Sequence, residues 1–228
     1  MDVYVTEEQQ IEAIKKWWKA NGNSILIGIV VAIIAVLGWQ GWRQHQRDSG
    51  ESAAAVYGQM MDAAKLAQQD RLDNKTKERD AQLATINHLG QQLKDTYSGT
   101  EYGTFAAMLL AREAVLANKL DDAVSELTWA NEHAKSEGVR LIANLRLARV
   151  LAAKEDYDAA LKQLDSVKPG AQEDSYEEVR GDIYVQQGNV EKAREAYQQA
   201  MLLSAEKNGG TARPILKIKH DNLLVADK

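Results

Sequence analysis

Side chains able to do chemistry are few and scattered. His45, His88, His133 and His220 stand far apart, and none forms H-E-x-x-H or another zinc spacing. Cysteine is absent, which excludes thiolate nucleophiles, thiolate metal sites and disulfides. There is no G-x-S-x-G elbow, no P-loop and no G-x-G-x-x-G. The adjacent carboxylates Asp121-Asp122 and Glu177-Glu178 point to different faces of a helix, which suits solvated helix starts better than an acid–base pair. Asn74-Lys75-Thr76 is a formal glycosylation sequon, which would carry no weight if the source were bacterial. What remains is binding chemistry. Arg112 and Arg149 are its best candidates, because arginine is enriched at interfaces and rarely buried unpaired.

The elements that must position those groups follow from composition. The chain has 228 residues, enough for one domain, or two if one is small. It is 45% hydrophobic and 27% charged, with Pro 2, so it can bury a core and favours helices. Lys+Arg 28 against Asp+Glu 33 leaves a net charge of −5, which argues against holding nucleic acid by its phosphates. The mean hydropathy of −0.44 conceals one apolar stretch.

No charge occurs from Ala20 to Trp42, and Ile25 to Trp39 is apolar or Gly throughout. As a helix the uncharged stretch spans about 34 Å, against a hydrocarbon core of about 30 Å. Trp17 and Trp18 precede it, and Trp39 and Trp42 close it, forming two membrane-interface belts. A buried core helix would need no tryptophan at both ends. Bulky Trp39 and Trp42 also fit a signal-peptidase site badly, so an uncleaved anchor is predicted. Lys15, Lys16 and Lys19 on one side against Arg43 and Arg47 on the other give a one-charge bias for a cytoplasmic N-terminus. That count alone leaves the opposite topology open. Thr6-Glu7-Glu8-Gln9 reads as a capping box opening a short surface helix, with Ile11, Ile14 and Trp18 on one face and Asn21-Gly22 able to end it.

Beyond the anchor the pattern repeats. Ala111, Ala148 and Gly181 are 37 and 33 residues apart, and each is followed twelve residues later by Ala123, Ala160 and Ala193. Leu127, Leu164 and Tyr197 come four residues further on. Turn-like stretches at Asn118, Glu155 and Gly188 lie between. Two antiparallel helices approach closely only where both present small side chains, and the bulky residue fills the space beside that contact. The period of about 35 is near the ~34 of tetratricopeptide (TPR) repeats. Glu51 to Gln69 and Lys77 to Lys94 predict a degenerate first pair separated by a charged segment, Asp70 to Asp80. Thr211 to Pro214 starts a last helix that covers the open end. Stacked helix pairs present a concave face made by the first helix of each pair. By register Met108, Arg112, Val115, Leu145, Arg149, Ala152, Glu178, Asp182 and Val185 line it, though Met108, Leu145 and Val185 serve equally well as packing against neighbouring repeats.

The chain resembles the bacterial ancillary SecYEG translocon subunit family (YfgM type). The resemblance rests on GWQGWRQHQRDS, IANLRLARVLA, YDAALKQLDSVK, VRGDIYVQQGNVEKAREAY and Asn222-Leu223-Leu224. The charged stretch from Asp70 to Asp80 is longer than the family pattern leads one to expect, which bears on the first helix pair alone. The resemblance implies a single-pass inner-membrane protein, N-terminus cytoplasmic and repeats periplasmic. It implies association with the SecYEG channel and the membrane-anchored chaperone PpiD, and help in handing over translocated proteins. It carries no catalytic residues.

The expected architecture is all-α: a transmembrane helix, then a TPR-like α-solenoid of about four helix pairs with a C-terminal capping helix. Residues 1–23 form a short cytoplasmic amphipathic segment, 24–42 the membrane span and 43–228 the repeat domain, clearest at 101–135, 139–168 and 174–207. The expected partners are the translocon, PpiD and the bilayer, with no cofactor, metal, nucleic acid or small-molecule substrate. A TPR scaffold for another envelope process is the rival reading, and an enzyme a more distant one.

Overall fold

The computed structural model describes residues 7–225. Among these every regular element is helical, as expected of an all-α chain. The α-helices are α1 (Glu7–Leu72), α2 (Thr76–Thr96), α3 (Glu101–Leu116), α4 (Leu120–His133), α5 (Glu137–Ala153), α6 (Tyr157–Asp165), α7 (Glu173–Gln186), α8 (Val190–Lys207) and α9 (Pro214–Val225). A single 3₁₀ turn, Gly170–Gln172, precedes α7. The chain divides into two compact units, Met1–Glu51 and Ser52–Lys228.

In the first unit the helix does not stop at Asn21-Gly22, as the sequence led us to expect. Glycine ends a helix by turning left-handed, and Gly22 is not among the residues with positive φ. Asn21 Nδ2 donates to the Trp17 carbonyl at 3.0 Å, so its side chain serves the helix rather than competing with it. Gly22 is covered by the Trp18 ring, which a Cβ there would meet at 3.2 Å. The expected capping box begins at Thr6 and lies outside the described residues. From Leu26 to Leu37 the large apolar side chains are exposed on every side of the helix, Ile27 by 65% and Ile34 by 64%. By length and composition this is a candidate membrane span.

The second unit is a run of antiparallel hairpins. Its first is the end of α1 with α2, and the break between them is only Asp73 to Lys75, far shorter than the predicted charged separator. The same turn recurs four times. Asn74, Asn118, Glu155 and Gly188 all have positive φ, between 57° and 73°. After each, a backbone N–H reaches five residues back: Lys75 to Asp70, Lys119 to Ala114, Asp156 to Leu151 and Asn189 to Tyr184, at 2.8 to 3.0 Å. This is the Schellman arrangement, which satisfies carbonyls that the ending helix leaves free. Asp156 and Asn189 then cap the following helices by accepting from Ala159 N and Lys192 N. Seven residues before each turn stands a buried small residue: Ala67, Ala111, Ala148 and Gly181. The first pair therefore keeps the register but lacks the small residue on its second helix, where Arg79 stands instead.

Pro214 is the first residue of α9, where its missing N–H costs nothing. Leu216 of that helix is fully buried, and Leu223 packs with Ala193 and Tyr197.

Candidate functional site

Packing fixes the backbone of the hairpins. Ala111, Ala123, Ala148, Ala160, Gly181, Ala193 and Tyr197 are all buried. The closest approach is at Gly181, where an added Cβ would lie 2.5 Å from the Tyr197 ring. Tyr197 Oη donates to Asp182 at 2.7 Å, so ring and glycine are held together. Burial, then the hydrogen bond and charge of Asp182, push the Tyr197 phenol well above its ordinary pKa.

Neighbouring hairpins are tied by polar bonds with no counterpart in the repeat pattern. Glu101 accepts from Lys135 N, Ser136 N and Ser136 Oγ at 2.7 to 3.0 Å, joining the start of α3 to the start of α5. Burial alone would raise its carboxyl, but the donors from Lys135 and Ser136 outweigh it and hold the pKa below the ordinary value. Tyr176 is 1% exposed and donates to the Leu141 carbonyl at 2.9 Å. It also lies 3.2 Å from Oδ1 of the fully buried Asn144, whose Nδ2 donates to Ser166 at 3.1 Å. Burial pushes the Tyr176 phenol up to about 12.

The face formed by α3, α5 and α7 falls into two parts. On α3 and α5, Met108 is mostly buried and forms the floor of an apolar groove of about 320 Å³ with Ala111, Leu127 and Val150. Arg112, Arg146 and Arg149 stand around it, with Val115 41% and Leu116 50% exposed at its lip. Arg112 donates to Gln68 Oε1 at 3.3 Å and lies 3.8 Å from Glu113, which is itself paired with Arg71 at 3.0 Å. Leu145 does not reach the groove; it is buried in the core between α5 and α7. Arg146 is missing from the sequence-derived set, although it lies three residues before Arg149 and so shares its helix face.

On α7 the charged residues are already occupied. Lys219 of α9 donates to Glu178 at 2.7 Å and to both oxygens of Asp182 at 2.7 and 2.9 Å. Arg213 pairs with Glu178 at 2.8 Å. Glu178 and Asp182, read from the sequence as partner-facing, are thus engaged within the chain. Burial would push the Glu178 carboxyl up, but the hydrogen bond and charge of Lys219, then Arg213, hold it below the ordinary carboxylate range.

Elsewhere two histidines, His133 and His220, have partners within the chain. His133 stacks on Trp129 with centroids 4.1 Å apart, and its Nδ1 lies 2.9 Å from the Trp129 carbonyl. Among the described residues no three metal-capable side chains converge. Trp17, Trp18, Trp39 and Trp42 are exposed, the last two 5.1 Å apart between ring centroids. The groove so built sets apolar contact area beside three guanidinium groups.

Comparison with known proteins agrees in extent as well as kind. The tetratricopeptide repeat-like domain family matches residues 15–225, taking in the apolar helix as well as the hairpins. The ancillary SecYEG translocon subunit of Aggregatibacter actinomycetemcomitans is 30% identical over 219 residues, covering 96% of this chain and 98% of that one. The protein of the same name from Escherichia coli K12 is 29% identical over 198 residues, 87% of this chain and 88% of that one. A third, from Haemophilus influenzae, is 27% identical over 96% of this chain and 98% of its own.

Proposed function

The chain belongs to the ancillary SecYEG translocon subunit family, built on a tetratricopeptide repeat-like domain, and from that premise we propose that it is a non-enzymatic accessory subunit of the translocon. The observation that carries this is end-to-end likeness: relatives bearing that name align over both the apolar helix and the hairpins. TPR hairpins alone would fit many partners. The apolar helix from Leu26 to Leu37, exposed all round, belongs in a bilayer, and the four tryptophans at its ends suit the headgroup level. The protein is then a single-pass inner-membrane protein with a cytoplasmic N-terminus and periplasmic hairpins. The face of α3, α5 and α7 supplies the surface on which it meets other polypeptides, among them the chaperone PpiD, and from which translocated proteins are handed on.

Two measurements test this. Affinity isolation from detergent-solubilised membranes should recover SecYEG components together with PpiD; recovery of unrelated envelope proteins alone would turn the reading toward a different scaffold. The chain has no cysteine, so single cysteines at Asp2 and Lys207 report topology cleanly. A membrane-impermeant maleimide should label the second from the periplasm and not the first, and the reverse pattern would invert the topology.

A further inference from the structure

We propose that the groove between α3 and α5 binds a polypeptide segment that is apolar on one side and carries carboxylates beside it. The inference rests on the partner-binding reading above and names the chemistry of the partner. Its first support is charge. No carboxylate lines the groove, while Arg112, Arg146 and Arg149 all do. Arg146 and Arg149 form no ion pair with any described residue, and Arg112 has only Gln68 and a distant Glu113. This concentration of positive charge belongs to a chain of net charge −5.

The second support is contrast on the same face. Where acidic groups lie on it, on α7, the chain supplies their cations: Arg213 and Lys219 for Glu178, and Lys219 for Asp182. Of the groove's cations, Arg112 has Glu113 at 3.8 Å, a carboxylate already paired with Arg71, while Arg146 and Arg149 form no ion pair with a described residue. Guanidinium is weakly hydrated, always charged and shaped for paired hydrogen bonds to a carboxylate, so beside an apolar floor it selects acidic partners over basic ones. The third support is the lip. Val115 and Leu116 leave 41% and 50% of their surface in solvent, next to the mostly buried Met108. A segment laying leucine-sized side chains over Met108 would cover them and bring flanking carboxylates within reach of the arginines. A bare phosphate would leave that apolar area in water.

The test uses the full chain in detergent and three fluorescent helical peptides. One has Leu on one face and Glu on the other; the second replaces Glu by Lys; the third replaces Leu by Ser. Anisotropy should show the Leu/Glu peptide bound at least about tenfold more tightly than either control. The double variant Arg146→Glu with Arg149→Glu should lose about tenfold or more, and Leu116→Asp should weaken binding with circular dichroism and melting unchanged. Equal binding of the Glu and Lys peptides, or an unaltered double variant, overturns the proposal. It also fails if phosphatidylglycerol micelles, and not the peptide, lose affinity in the double variant. Copurification of the unmodified chain with SecYEG, measured from the same membranes, is independent of these results. Its loss would refute the translocon reading, whereas lost peptide selectivity with copurification intact refutes the groove alone.

Discussion

The two ends of one helical face treat charge in opposite ways. On α7, Glu178 and Asp182 are neutralised by Lys219 and Arg213, and α9 covers the apolar surface around them. On α3 and α5, Arg112, Arg146 and Arg149 surround an apolar groove that no part of the described chain fills. The repeat is the same at both ends, down to the left-handed turns at Asn118, Glu155 and Gly188. The difference teaches that the repeat sets where side chains point, while the elements that follow decide which of them are used up internally. One end is stability and the other is surface.

That division can be broken by substitution. The largest effect is expected at Gly181, where a Leu must enter space held by the Tyr197 ring. Gly181→Leu should cost about 1–3 kcal/mol by overpacking, read as a lower midpoint in chemical denaturation. An unchanged midpoint would mean that the α7–α8 register is wrong. Next is Lys219→Met, which leaves Glu178 and Asp182 without their shared ammonium. With these groups less than a third exposed, the expected loss is about 1–2 kcal/mol.

Acid sharpens the same point. The Glu178 carboxyl titrates below its ordinary value in the folded chain. Its contribution is therefore complete above the unfolded pKa of about 4.3 and is lost as pH falls through the folded value. Melting followed from pH 6 to about 3 should show a fall in stability that Glu178→Gln makes shallower; parallel curves would remove Glu178 from the account. The smallest effect is expected at the open end. Arg146→Gln with Arg149→Gln should alter stability by no more than about 0.5 kcal/mol, because neither side chain has an ion pair to lose. A larger loss would show that these arginines hold the fold and are not a free surface.

Much of the architecture was legible because its signals are local. A run of apolar residues long enough to span a bilayer, small residues at a recurring spacing, and turn residues between the helices of each hairpin are all read along a continuous stretch of chain. Two local signals misled. Asn21-Gly22 has the composition of a helix stop, yet the side chain of Asn21 bonds back to its own helix and Gly22 stays right-handed. The charged stretch from Asp70 to Asp80 reads as a long separator, yet Asn74 makes the same tight turn as the other hairpins. Arg146 was within reach, since its spacing from Arg149 puts both on one side of α5.

By itself, then, the sequence determined the long apolar helix, the succession and register of the hairpins, and the last helix that packs against them. All of these follow from periodicity and from the length of an apolar run. Only the tertiary structure decided which charges remain available. Lys219 meets Glu178 across 41 residues and Asp182 across 37, and Tyr176 meets Leu141 across 35. Whether a carboxylate faces a lysine or water depends on how distant helices are brought together, and periodicity within one helix holds no record of that.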